Sequence, residues 1–182
     1  MTGPGAGQPI RVRRAAPGDH RALTGMFERC TLATRYRRFH APVRAIPERY
    51  LTEALSGRPF HYALVAYQDP VPFRSADPGP DGMARAPGAP AGAVVALASC
   101  RLVGEGAGEL GVLIEDAWQR RGLGTRLVHE LAAHAADAGV RVLEAQLLAE
   151  QAWITGMLRP YGSCRLSSTW DGVLNVTVRL AR

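Results

Sequence analysis

Lysine is absent from the 182 residues; all 22 basic side chains are arginine. A Walker-type nucleotide loop ends in Gly-Lys-Ser/Thr, so that site is excluded. Cysteine is scarce: Cys30, Cys100 and Cys164 are odd in number and far apart, with neither a disulfide framework nor a metal-ligand spacing. No apolar run reaches the ~18 residues of a spanning helix, and the N-terminus lacks the basic-then-apolar order of a signal peptide. The expectation is a soluble, cytoplasmic protein with no metal and no membrane partner. Charged residues are 21% and hydrophobic residues 47%, which together describe one domain with a sizeable core. The net charge of +6 suits an anionic ligand or an acidic surface. The arginines are scattered rather than clustered, so nucleic acid is not expected as a partner.

Organisation centres on residues 109–139. An apolar run, 110–114, leads into Gln119-Arg120-Arg121-Gly122-Leu123-Gly124, and a long amphipathic stretch, 125–138, follows. Two glycines therefore stand where a strand hands over to a helix. The first turn of a helix has unpaired N–H groups and a partial positive charge. Glycine lets a phosphate reach those groups without meeting a Cβ. The pattern fits a pyrophosphate site; a tight turn without a ligand is the plainer reading. The dinucleotide fingerprint G-x-G-x-x-G fails, because its third glycine falls on Leu127 and too little chain remains for its domain. The pattern Q/R-x-x-G-x-G/A fits without adjustment.

Along the chain, 1–9 is a Gly/Pro-rich tail and 10–15 a first strand. Pro17-Gly18-Asp19 opens a helix to about Cys30, with Leu23, Met26 and Phe27 on one face. Two helical stretches follow, around 34–39 and from Pro47 to Leu55, with Gly57 as the stop. Residues 60–67 read as a strand with His61 as a packed residue. Segment 69–90, dominated by Pro, Gly, Asp and Ala, reads as a flexible insertion. Segments 91–103 and 109–115 suit an antiparallel pair. Leu123, Leu127, Leu131 and Ala135 give the next helix its stripe, and Gly139 ends it. His129 and His134, five apart, do not share a face for a metal. Residues 141–148 form a strand reached by a right-handed crossover, 150–158 a short helix, and 163–170 with 173–180 a hairpin about Asp171-Gly172.

The hexapeptide 119–124, with its preceding strand, following helix and next strand, resembles the acyl-CoA motif of the GNAT N-acetyltransferase superfamily, and the resemblance runs from about Ile10 to Leu180. The segment TRYRRFHAP, 34–42, is similar to the corresponding part of Pat-type protein-lysine acetyltransferases. The implied fold is α/β: a mixed, mostly antiparallel central sheet of about seven strands with flanking helices and a splayed parallel pair in the centre. It makes 10–182 a single domain, monomeric or homodimeric.

The implied chemistry is transfer of an acetyl group from acetyl-CoA, the cosubstrate, to a primary amine, on a small molecule or a protein lysine. The alternative is a regulatory domain that binds acyl-CoA without turnover. By resemblance, the cosubstrate touches Val112, Leu113 and Ile114, one of whose amides serves the oxyanion. It also touches Gln119, Arg120, Arg121, Gly122, Leu123, Gly124 and Thr125, which hold the pyrophosphate, and Gln151, where the family often has asparagine. By resemblance, the position of the family's general-acid tyrosine is Leu158, so that tyrosine is missing; Tyr161, three residues on, is a candidate substitute, and the family's Gly-Phe pair is Gly162-Ser163. Pat-type enzymes use a glutamate on the strand before the motif as base, and Glu109 matches it. Strand parity puts Glu109, Gly111 and Leu113 on one face. The plainer reading of Glu109 is a hairpin-end surface carboxylate, and Glu115 reads as a solvated or capping acid. Arg35, Arg37 and Arg38 form a solvated helix face or meet acidic groups on a substrate.

Overall fold

A computed structural model describes residues 9–59, 61–68, 92–168 and 172–181. Alternating apolar and polar positions build β1 (Ile10–Arg14), β4 (Ala107–Ile114) and β7 (Val173–Leu180), whereas β2 (His61–Gln68) carries a continuous buried apolar run, Ala63 to Ala66. In β3 (Val94–Gly104) the first seven residues are all buried, as befits a strand covered on both faces. With β5 (Val142–Leu148) and β6 (Gly162–Ser168) these make one sheet of order β1-β2-β3-β4-β5-β7-β6. Every pairing is antiparallel except β4 with β5. The mixed seven-stranded sheet expected from sequence is therefore present.

The two faces carry separate cores. One is built by α1 (His20–Arg29), α2 (Leu32–Phe39) and α3 (Glu48–Leu55), which press Leu23, Met26, Phe27, Leu51 and Leu55 onto Ala63, Val65, Leu97 and Leu113 of the sheet. Each such large side chain, fully buried, contributes about 1.5–3 kcal/mol. On the other face lies α4 (Leu123–Asp137), whose buried stripe Leu123, Leu127, Leu131 and Ala135 meets Leu64, Ala96, Ala98 and Leu110. This helix is the crossover between β4 and β5. It ends where Gly139 turns left-handed at φ 83° and Val140 N–H bonds the Ala135 carbonyl at 2.9 Å.

The parallel pair is short. Only Ala107–Val142, Gly108–Leu143 and Glu109–Glu144 are in register. From Leu110 onward β4 keeps its pairing with β3 but has no partner on β5, while β5 stays paired to β7 through Leu148. The splay begins at Glu109.

Three local readings change. The helix expected over 150–158 is a 3₁₀ stretch, Ala149–Ile154, and only one α-turn, α5 (Thr155–Leu158); Gly156 and Pro160 leave too little helix-forming chain for more. Pro47 caps α3 rather than opening its first turn. Glu115 stands at the N-cap of the 3₁₀ turn Asp116–Trp118, but its side chain is neither solvated nor the capping group: it is 14% exposed and takes two hydrogen bonds from Arg29, at 2.8 and 3.0 Å. The first eight residues of the tail, the insertion 69–90, Phe60, Ala91 and hairpin residues Thr169, Trp170 and Asp171 lie outside the described residues. Among those described, no helix is long and apolar enough to cross a membrane.

Gly162, the first residue of β6, has φ 155°, and a Cβ there would overlap the Arg179 carbonyl of β7. Backbone cannot yield as a side-chain tip can. Gly162→Ala should therefore lose at least ~2 kcal/mol of stability. A urea midpoint equal to that of the parent would show that the hairpin shifts freely.

Candidate active site

The turn from β4 into α4 is held by side chains from both flanks. Gln119 Nε2 donates to the Ile114 carbonyl at 2.9 Å and to Thr34 Oγ1 at 3.0 Å. Asp116 accepts from Thr31 N–H, Thr31 Oγ1 and Thr34 Oγ1, each at 2.8 Å. Burial alone would raise the Asp116 carboxyl, but these bonds outweigh it and hold it below the usual carboxylate range. The start of α2 is thereby fixed to the motif.

Between these anchors the backbone takes unusual angles. Arg120 has φ 58° and Gly122 φ 77°. Left-handed angles are free for glycine but cost an arginine energy, and they cluster where a loop is shaped for a ligand. The first helical bond of α4 runs from Arg126 N–H to the Gly122 carbonyl, so the N–H groups of Leu123, Gly124 and Thr125 have no preceding helical carbonyl to bond. Gly124 lies close on the sheet; a Cβ there would stand 3.4 Å from Ile114 Cδ1. Arg121 stacks over Trp118, 5.1 Å from the ring centre. These two residues, with Ile10, Gly122, Leu123 and Arg126, line a cavity of about 260 Å³ beside the turn.

The structure brings Arg120, Arg121, Gly122, Leu123, Gly124 and Thr125 together at one helix start, just past the β4 edge formed by Val112, Leu113 and Ile114. Several side chains in this region are engaged within the fold, among them that of Gln119, as above, and that of Gln151, whose Oε1 accepts from Leu148 N–H at 3.3 Å and closes the turn after β5. The Thr125 hydroxyl donates to Met157 Sδ at 3.2 Å, tying α4 to α5.

Glu109 stands in the last register pair before the splay, on the α1–α3 face with Gly111 and Leu113. It is half-exposed and pairs with Arg101, its cross-strand neighbour on β3, through Oε2. Across the seam lies Glu144, a like charge. Beyond Arg101 in the same row comes His61, only 2% exposed, with both ring nitrogens buried and unpartnered. One row along, Ser99 faces Gly111 and meets the Tyr50 hydroxyl at 3.2 Å. Arg101, Ser99 and Tyr50 were not legible as site residues from sequence; the parity of Ser99 and Arg101 in β3 is the signal that places them beside Glu109 once the register is known.

Burial pushes the His61 imidazole below its ordinary value, so it is neutral in the folded protein. The unfolded chain takes up that proton as pH falls through ~6.5 while the folded one resists, so acid should lower stability, by up to ~1.4 kcal/mol per pH unit for this proton. Urea unfolding between pH 7 and 5 measures the slope, and His61→Gln should flatten it; an unchanged slope would assign the effect elsewhere. Burial also lifts the thiols of Cys30 and Cys100 to about 11, which leaves them protonated and non-nucleophilic near neutrality.

The opposite face holds no free tyrosine at the expected place. Leu158 is 2% exposed in the α4-side core. Tyr161 packs against the same core, its hydroxyl 3.4 Å from His129 Nδ1 on α4, and burial raises its phenol above the usual range.

Residues 36–153, well over half of the chain, match the model of the acetyltransferase (GNAT) family. The chain belongs to that family. A search of curated protein sequences finds no significant match. Among solved structures, the GNAT domain of S. lividans PAT superposes with a TM-score of 0.71 at 21% identity, over 94% of this chain and 90% of that one. A GNAT superfamily phosphinothricin acetyltransferase (Pat) from Sinorhizobium meliloti, in complex with acetyl-CoA, gives 0.65 at 15% identity, over 94% and 88%. The cAMP-binding acyltransferase from Mycobacterium smegmatis gives 0.55 at 21% identity; there the match spans 95% of this chain but 44% of the larger one. At these identities the likeness concerns the GNAT fold.

Proposed function

We propose that the protein transfers an acetyl group from acetyl-CoA to a primary amine, on a small molecule or a protein lysine, by direct attack with Glu109 as general base. The observation that carries this reading is the coincidence of three features along one strand: the splay, the anion-suited turn and a carboxylate on the last paired rung before the splay.

The residues suit the cosubstrate. The pyrophosphate is assigned to the backbone N–H groups of residues 120–125, with the positive end of α4 behind them and the charges of Arg120 and Arg121 beside them. The pantetheine arm is assigned to the β4 edge at Val112, Leu113 and Ile114, whose groups β5 no longer covers. Acetyl-CoA supplies an activated thioester carbonyl. An amine of pKa near 10 is mostly protonated at neutral pH and must lose a proton before attack. Glu109 takes that proton, and an amide of the same β4 edge donates to the developing oxyanion. The C–N bond forms, the C–S bond breaks, and the thiolate leaves to be protonated from solvent.

A second reading, acyl-CoA binding without turnover, is favoured by one observation: the family's tyrosine position is buried Leu158, and Tyr161 is engaged by His129. A screen of amine acceptors with acetyl-CoA, reading free thiol, separates the two. Acceptor-dependent thiol release supports transfer; tight acetyl-CoA binding with no release from any amine supports the second reading.

A further inference from the structure

The three arginines of α2 have different fates. Arg35 is spent on backbone carbonyls, with Nε to Cys30 at 3.0 Å, Nη1 to Arg44 at 3.1 Å and Nη2 to Glu28 at 2.9 Å. Arg37 pairs with Glu150 at 2.8 Å. Arg38 turns inward, and its guanidinium occupies the space over Gly111 that a side chain would need, where a Cβ would come within 2.7 Å of Cζ. The rings of Phe39 and Tyr50 flank it at 4.9 and 4.7 Å, and its Nε is buried without an acceptor. No carboxylate of the described residues pairs with it. A half-buried guanidinium held by ring faces alone keeps its fork of donors unused.

The location gives that fork a purpose. Gly111 and Glu109 lie two residues apart on the same face of β4, about 7 Å along a strand. A cation at one end and a carboxylate at the other match the reversed charges of a zwitterion, with its ammonium at Glu109 and its carboxylate on Arg38. The Ser99 hydroxyl on β3, the Tyr50 hydroxyl that reaches it from α3 and the unpaired His61 ring nitrogens on β2 are polar groups on the same face.

We propose that Arg38 is the receptor for a carboxylate on the acceptor, so that the acceptor is a small molecule of the amino-acid type with amine and carboxylate close together. The proposal rests on amine transfer at Glu109. A protein lysine fits it less well, because four methylenes hold its amine away from the backbone and from acidic groups nearby.

The test titrates the CoA-saturated protein, by calorimetry, with α-amino acids and their decarboxylated amines in pairs: L-phenylalanine and 2-phenylethylamine, L-lysine and 1,5-diaminopentane, and the remaining proteinogenic acids likewise. At least one acid should bind tenfold or more tightly than its amine. Arg38→Met should abolish that preference while leaving acetyl-CoA affinity within twofold, and in the transfer assay should raise the KM of the acid with kcat nearly unchanged. Arg38→Lys should restore only part, since an ammonium lacks the fork. Gly111→Ala, which displaces the guanidinium while keeping Arg38, should reproduce the loss if Arg38→Met proves unstable. A panel in which no acid outbinds its amine overturns the proposal, as does an equal loss for acid and amine in the variants. If the acid preference depends on Arg38 but no amine is acetylated, the transfer reading fails and the carboxylate site stands.

Discussion

Glu109→Gln should leave acetyl-CoA binding intact and lower kcat at neutral pH by roughly 10²-fold or more. Glutamine keeps the shape of the side chain and an oxygen that accepts from Arg101, so the β3–β4 register should survive. What it loses is the capacity to take a proton. The defect should shrink at high pH, where the amine, with pKa near 10, deprotonates without help. Initial rates from pH 6 to 10 with a pre-steady-state check on the chemical step measure this. A kcat within about threefold of the parent at neutral pH, with chemistry rate-limiting, would remove Glu109 from the mechanism.

Gly124→Glu should raise the Kd for acetyl-CoA at least a hundredfold. Gly124 is the second residue of α4, among the three with free N–H groups, and a Cβ there stands 3.4 Å from Ile114. The added carboxylate competes with the pyrophosphate for the same donors and repels it. Its effect on folding has the opposite sign, because an acid in the first turn interacts favourably with the helix dipole by about 0.3–1 kcal/mol. That gain offsets the crowding against Ile114, so the melting temperature should move little while binding is lost. Calorimetry that finds the parent affinity in a folded variant would place the pyrophosphate elsewhere.

Much of this was legible because it is encoded locally. The period of Leu123, Leu127, Leu131 and Ala135, the alternation in β1 and β4, and the paired glycines at a strand end each declare themselves within a few residues. Features that depend on register or on a distant partner were not. Arg101 looks like any strand arginine until β3 places it opposite Glu109. Gln119 belongs to the motif pattern, yet its side chain serves Ile114 and Thr34, which only the docking of α2 reveals. Arg38 and Arg37 are sequence neighbours with opposite destinations, and the difference is made by Gly111, 73 positions away from Arg38 (111 − 38), which leaves room for one guanidinium. The short 3₁₀ stretch after β5 was missed because local apolar content favours a helix there and tertiary closure through Gln151 overrides it.

The three-rung seam between β4 and β5 also bears on how the molecule holds together over time. Strands β1–β4 with α1–α3 lie on one side of that seam and β5–β7–β6 on the other, and beyond the seam they are joined by the core under α4, which spans both, and by the Arg37–Glu150 ion pair. Local opening follows such weak joints at a lower free energy than global unfolding. A ligand that lies along both edges of the gap supplies the cross-links the backbone omits, and it raises stability in proportion to the logarithm of its concentration over its dissociation constant. Amide protons near the seam would then report occupancy directly, exchanging slowly when the cleft is filled and quickly when it is empty. On the proposed function, the chain would leave part of its own cohesion to its cosubstrate.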